Sequence, residues 1–240
     1  MTPAFIVGED LEALSLALAE RIVAVASEVV ARSGRCAIAL AGGSTPRRLY
    51  QLLAAGDRRV TLSWPAVCWW WSDERCVPPD DRESNFRLAL ETLLGPAGVG
   101  PERIHRIEGE RPAEQAALAY EALLRDRVPD GALDIVLLGA GSDGHTASLF
   151  PGSPALAERV RWVVATEAGA SQAVPTRVTF TYPLLDRARE VFVLAAGTAK
   201  RAVVRAVRED VAAAARRYPV ARLSPAGRLT WYVDREAAGA

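Results

Sequence analysis

The spacing of hydrophobic positions changes along the chain, and each change marks an element. Leu11, Leu14, Leu18, Ile22, Val25 and Val29 recur every three or four residues, the stripe of an amphipathic helix. Asp10 is placed to cap it and Gly34 to stop it, so the pattern predicts a helix running to about Ser33. Short, nearly continuous apolar runs follow at Cys36 to Ala41, Val67 to Trp71, Ile135 to Leu138, Glu190 to Ala196 and Leu229 to Val233. Runs of that length and continuity predict strands buried on both faces. Arg161 to Ala165 and the alternating Arg177 to Tyr182 add two more. Helical spacing returns after Pro46 (Leu49, Leu52, Leu53), after Ser84 (Leu88, Leu90, Leu93, Leu94), over Pro112 to Arg125, and from Gly197 to about Arg216. Thr146 to Phe150 offers the first turns of one more helix, limited by Pro151. Strands alternating with helices predict an α/β fold, a mostly parallel sheet with helices on both faces, in one domain spanning residues 1–240. The order of the strands is not contained in the pattern.

Composition narrows the function. Hydrophobic residues make up 50% of the chain, enough for a packed core, so disorder is not expected. Formal net charge is +0, which argues against nucleic acid or an anionic membrane surface as the main partner. No apolar run has the length of a membrane span, and Met1 to Glu9 lacks the basic-then-apolar order of a secretion signal. Cys36, Cys68 and Cys76 are odd in number and have no metal-ligand spacing, which fits a reducing cytoplasm. With only His105 and His145 available, a multi-histidine metal site is not expected. Lys200 is the only lysine among many arginines.

The chemistry gathers where strands end. Gly42-Gly43-Ser44-Thr45-Pro46 follows the first buried run, with glycines that permit close backbone approach and a Ser or Thr placed to cap the next helix. A glycine turn feeding a helix start presents free N–H groups to an anion, but it also fits an ordinary strand-to-helix turn. The Gly-Lys-Ser/Thr ending of a P-loop is missing. Trp69, Trp70 and Trp71 read as core or wall, and Ser72-Asp73-Glu74-Arg75 after them as a charged loop. His105, between Ile104 and Ile107, reads as structural or surface. Gly139-Ala140-Gly141-Ser142-Asp143-Gly144-His145 ends the central run. Ligands of open α/β sheets sit outside the carboxyl ends of the strands, which places Asp143 and His145 where chemistry occurs; a polar turn with a surface histidine is the alternative. Gly197-Thr198-Ala199-Lys200 is a further glycine turn, with a cation attached. The string Gly139 to Gly144 matches a dinucleotide fingerprint only in spelling, because Asp143 would repel a pyrophosphate. No nucleophile elbow is present.

Glycine turns at three strand ends, cations on separate segments (Arg75, Arg177, Lys200) and one Asp-His turn fit a small phosphorylated substrate with His145 acting at its other end. In Gly42 to Pro46, Ser72 to Pro78, Ser84-Asn85, Gly139 to Pro151, Arg177 to Thr179 and Gly197 to Lys200, the chain resembles the 6-phosphogluconolactonases over nearly its whole length. The resemblance implies a Rossmann-like fold of the sugar-phosphate isomerase/deaminase type and no cofactor. It implies hydrolysis of 6-phospho-D-glucono-1,5-lactone to 6-phosphogluconate in the oxidative pentose phosphate pathway. On that reading His145 is the general base, Asp143 orients the imidazole or the water, and Arg75 meets either the oxyanion or the phosphate. Gly42, Gly43, Ser44, Thr45, Asp73, Arg177 and Lys200 bind the substrate and its phosphate. The expected protein is cytoplasmic, and a monomer or weak homo-oligomer. Glucosamine-6-phosphate deaminases share the Asp-Gly-His turn but follow it with Asn-Glu-Pro, where the acid assists ring opening. Here the region reads Ser148-Leu149-Phe150-Pro151, without a carboxylate. A non-catalytic sugar-phosphate-binding module is the alternative from another class, and His145 argues against it.

Overall fold

The structure is a computed structural model that describes residues 3–55, 63–128, 130–169 and 173–239. Its strands are β1 (Ala4–Gly8), β2 (Cys36–Leu40), β3 (Val67–Trp71), β4 (Asp73–Arg75), β5 (Ile135–Gly139), β6 (Val163–Glu167), β7 (Thr176–Phe180), β8 (Glu190–Ala195) and β9 (Arg228–Asp234). The α-helices are α1 (Leu11–Ser33), α2 (Arg47–Ala54), α3 (Asn85–Ala89), α4 (Ala113–Arg127), α5 (Tyr182–Leu185), α6 (Arg201–Glu209), α7 (Val211–Ala215) and α8 (Arg235–Ala238).

Helix α1 follows its sequence signals closely. Asp10 Oδ1 accepts from the Ala13 N–H at 2.8 Å, and Gly34 closes the helix at φ 73, a left-handed turn that suits glycine. The stripe Leu14, Leu18, Ile22, Val25 and Val29 is buried. Helix α3 starts at the predicted cap, Ser84, and continues from Leu90 to Leu94 as a π-helical turn.

Six strands form a parallel sheet in the order β1-β9-β8-β5-β2-β3. The chain builds outward from the centre in both directions, β2 to β3 on one side and β5 to β8 to β9 on the other. The switch point therefore lies between β2 and β5. These two strands pair only at Ile38↔Ile135 and Ala39↔Val136, then part toward their carboxyl ends. The opening between Leu40 and Gly139 is where an open α/β sheet binds its ligand. Trp69, Trp70 and Trp71 of β3 are all buried, so both faces of the sheet are covered even at this side of it.

Four expectations need correction. Strands and helices do not alternate throughout: β4, β7 and β6 form a separate antiparallel sheet. Ser72 joins the two sheets, its N–H donating to Leu40 and its carbonyl accepting from Phe180. The charged stretch Asp73 to Arg75 is thus a strand, not a loop. In addition, no helix forms over Thr146 to Phe150. Ala147 takes φ 46, Thr146 bridges Leu149, and the chain turns back beside the pocket. The last long helix also breaks, at Asp210, whose extended backbone and side chain cap α7 by accepting from the Ala213 N–H. Among the described residues no helix is long and apolar enough to cross a membrane.

Candidate active site

A cavity of about 240 Å³ occupies the opening between β2 and β5. Its floor is apolar, from Leu137 and Leu138 of β5 and Phe192 and Leu194 of β8. Gly42, Gly43, Ser44, Thr45, Asp73, Arg75, His145, Arg177 and Lys200 all line it. Asp143 does not; it stands behind His145.

The first wall is the Gly42 to Pro46 turn. Tyr50 of α2 ties it to the sheet, its hydroxyl donating to the Ala41 carbonyl at 2.6 Å and accepting from the Ala41 N–H at 3.0 Å. An unpaired buried polar group costs about 1–3 kcal/mol, and this one hydroxyl satisfies two at the start of the turn. Neither Ser44 nor Thr45 caps α2. The helix begins one residue later, with Pro46 at the cap position, so the Ser44 and Thr45 side chains remain on the pocket wall. Gly43 has φ 86 and no atom within 4 Å of where a side chain would start, so its pocket side is open.

The second wall is cationic. Arg75 and Arg177 are paired directly across β4 and β7. Like charges opposite each other destabilise a sheet. Burial, and then the Arg75 charge, push the Arg177 pKa down, and its Nε donates to the Val174 carbonyl at 2.9 Å. Arg75 donates to the Glu83 carbonyl. Two guanidinium groups held together in this way have the chemistry to receive an anion. Lys200 comes from the turn after β8, where Gly197 at φ 88 donates its N–H to both oxygens of Asp234.

The third wall carries the histidine. His145 Nδ1 lies 2.6 Å from Asp143 Oδ1, which also accepts from the His145 N–H at 3.1 Å. Burial pushes the Asp143 carboxyl up, but these bonds outweigh it and hold the group below its ordinary range. An ionised carboxylate only accepts hydrogen bonds, so Nδ1 is the nitrogen that donates to Asp143, and in the neutral ring this leaves the lone pair on Nε2. The Phe150 ring packs against the imidazole with centroids 4.6 Å apart. His105 lies elsewhere, its ring against Trp70 at 4.4 Å.

Two pocket residues that hold Asp73 were absent from the sequence-based site. Asn85, at the start of α3, donates through Nδ2 to the Asp73 carbonyl at 2.9 Å and touches Oδ1 at 3.4 Å. Ser148 donates to Asp73 Oδ2 at 2.7 Å, and its own N–H donates to Thr179 Oγ1. The Asp73 carboxylate is therefore fixed from two elements, and among the described residues it is the one acidic side chain on the lining. The signal for Asn85 was present: a polar residue directly after a capping serine. Among the described residues no group of three or more His, Cys, Asp or Glu side chains converges as a metal site requires.

A parallel sheet with its crevice at the switch point, lined by cations and by a histidine paired with Asp143, defines an α/β enzyme with a cationic pocket. The chain belongs to the glucosamine-6-phosphate isomerase/6-phosphogluconolactonase family, whose sequence profile matches residues 9–231. It is 38% identical over 219 residues to a 6-phosphogluconolactonase of Synechocystis, covering 88% of this chain and 87% of that protein. A probable chloroplastic 6-phosphogluconolactonase of Oryza sativa is 34% identical over 238 residues, 94% of this chain and 72% of the relative. Among solved structures, a 6-phosphogluconolactonase from Trypanosoma cruzi superposes with a TM-score of 0.86 at 30% identity, covering 99% of this chain and 96% of the other.

Proposed function

We infer that this chain hydrolyses 6-phospho-D-glucono-1,5-lactone to 6-phospho-D-gluconate, in the oxidative branch of the pentose phosphate pathway. The family covers both lactonases and deaminating isomerases, so a local feature has to separate them. The observation that carries the lactonase reading is the Asp143–His145 pair facing an anion-receptive pocket with no carboxylate in the segment that follows, Ser148 to Pro151. A lactone is already an activated ester and needs no acid to open its ring before attack.

The phosphate lies against Arg75, Arg177, Lys200 and the Gly42 to Thr45 turn. Arg75 belongs with the phosphate in this reading, because a shared anion relieves its repulsion with Arg177. Asp73 accepts from a substrate hydroxyl. The lactone carbonyl then lies beside His145. As water attacks the carbonyl carbon, Nε2 takes its proton, and Asp143 stabilises the imidazolium that forms. The tetrahedral intermediate collapses by breaking the bond to the ring oxygen, which receives the proton from Nε2. The products are the free hydroxyl and the carboxylic acid, which ionises. Residues 1–240 act as one domain in this scheme, as a cytoplasmic monomer or weak homo-oligomer.

The direct test is acid release from the phosphorylated lactone, with spontaneous hydrolysis subtracted. Ammonia release from glucosamine-6-phosphate is expected to stay at the no-enzyme level, and release above it overturns the assignment. The anchor has its own test. A charge-assisted hydrogen bond contributes about 1.5–3 kcal/mol, and about 1.4 kcal/mol is a decade, so Lys200→Ala is expected to lower kcat/KM on the order of 10- to 100-fold. Unphosphorylated gluconolactone is expected to be a poor substrate that the substitution barely affects. Equal losses on both substrates would remove Lys200 from the phosphate site.

A further inference from the structure

Glu74 sits between two pocket residues and does not itself face the pocket. Side chains alternate along a strand, so Asp73 and Arg75 share one face of β4 and Glu74 takes the other. It is 2% exposed, yet no cation pairs with it among the described ion pairs. Four donors surround it instead. Oε1 accepts from the N–H groups of Arg75 and Asn85, both at 2.7 Å. Oε2 accepts from the Phe86 N–H at 2.8 Å and from Ser84 Oγ at 3.1 Å. Ser84 Oγ in turn accepts from the Arg87 N–H at 3.2 Å. The first N–H groups of a helix have no partner within it. At α3 a glutamate from a neighbouring strand satisfies two of them and the capping serine a third.

The side chain this arrangement delivers is Asn85. It is 1% exposed, its Nδ2 binds the Asp73 carbonyl, and its amide fills the space where Gly42 has no side chain. A Cβ on Gly42 would fall 2.0 Å from Asn85 Oδ1. Asn85 therefore fixes the spacing between the glycine turn and Asp73, two parts of the proposed substrate site that come from different strands.

We propose that Glu74 is a positioning residue for substrate binding, holding Asn85 against Gly42 and Asp73 and so setting the width of the pocket between the glycine turn and β4. This rests on the lactonase reading of the pocket. The chemistry requires a carboxylate. Backbone N–H groups cannot turn away, and each oxygen of Glu74 meets at least one. Whichever way a glutamine amide is placed there, its NH2 group faces a backbone donor. Glu74→Gln thus keeps the shape but opposes N–H to N–H at the start of α3.

The test compares kcat and KM for the phosphorylated lactone, assayed above the value of about 7 to which burial pushes the Glu74 carboxyl, so that the wild type is ionised. Glu74→Gln is expected to raise KM roughly 10-fold, about the worth of one well-aligned charged contact, with kcat within a few-fold of wild type. Asn85→Ala is expected to raise KM similarly. If Glu74 acts through Asn85, the double variant shows little more than either alone, because residues in one network do not add. An unchanged KM in folded Glu74→Gln, or fully additive effects, overturns the proposal. A purely structural role would lower Tm and the active fraction while leaving KM unchanged. Should Glu74→Gln fail to fold, Glu74→Asp takes its place: it keeps the charge but is one methylene too short to reach the N–H groups of α3, and an unchanged KM there overturns the proposal equally. A wild type with no lactonase activity above the blank would instead sink the functional reading itself.

Discussion

His145→Ala is expected to lower kcat/KM by about 10²–10⁴-fold, the range a positioned general base supplies. The loss should appear in kcat, with binding of 6-phosphogluconate little changed, because the proposed anion-binding residues lie on other elements: Arg75 on β4, Arg177 on β7 and Lys200 after β8. The expectation extends to pH. A base must be unprotonated, so the wild-type profile of kcat/KM falls toward acid and the profile of His145→Ala does not. Asp143 does not create that limb. Its carboxyl is held below the ordinary range, so it remains ionised, and the contribution of its bonds to the fold is present above the ordinary carboxylate value and lost only as pH falls through the depressed one. His105→Ala should leave the limb intact, since that ring packs on Trp70 outside the pocket. The lactone also hydrolyses unaided, so every rate needs its blank. Activity within a few-fold of wild type in His145→Ala, after that correction, would show that another group is the base.

The parts of this fold that were legible in the sequence are those decided locally. Asp10 and Gly34 bound α1 because a cap and a left-handed turn each depend on a few neighbouring atoms. The buried strands β2, β3, β5, β8 and β9 were legible because strands covered on both faces are nearly continuous apolar runs. The glycine turns could be placed because each follows such a run. What escaped was decided by distant partners. Asp73 to Arg75 looks like a solvated loop, but Glu74 is buried by donors from α3, and Asp73 is held by Asn85 and Ser148. Ala4 to Gly8 is a short apolar run too, but it was not foreseen as a strand; it forms the sheet edge, partly exposed, with only β9 pairing with it. The helix expected after His145 fails at Ala147, where the chain takes a left-handed conformation that no local residue preference announces. Asp143 was placed correctly on the turn, but its position behind the imidazole rather than on the pocket wall depends on how tightly that turn closes.

That closure gives the second large effect. Gly141→Ala is expected to reduce kcat nearly as far as His145→Ala does, roughly 10²-fold or more, while the protein still folds. Gly141 donates its N–H to the His145 carbonyl at 2.8 Å and accepts from the Gly144 N–H at 3.0 Å, so the turn wraps the imidazole and carboxylate against Gly141. A Cβ there would lie 2.1 Å from His145 Nδ1 and 2.4 Å from Asp143 Oδ1. No contact of that length is tolerated, so one side chain must leave, and either move breaks the hydrogen bond that selects the tautomer and aims Nε2. Both side chains are partly exposed, His145 at 31% and Asp143 at 49%, so they have room to swing toward solvent. The strain is therefore relieved at the expense of alignment, with little change in Tm. Gly43 is the contrast: its φ of 86 demands glycine for the backbone alone, and no neighbour would meet a side chain. Kinetics and thermal melting of Gly141→Ala together decide the matter. A large kcat loss with KM and Tm near wild type supports an aligned Asp143–His145 pair as the catalytic unit, and wild-type kcat in a folded Gly141→Ala would show that this alignment is not needed for the reaction.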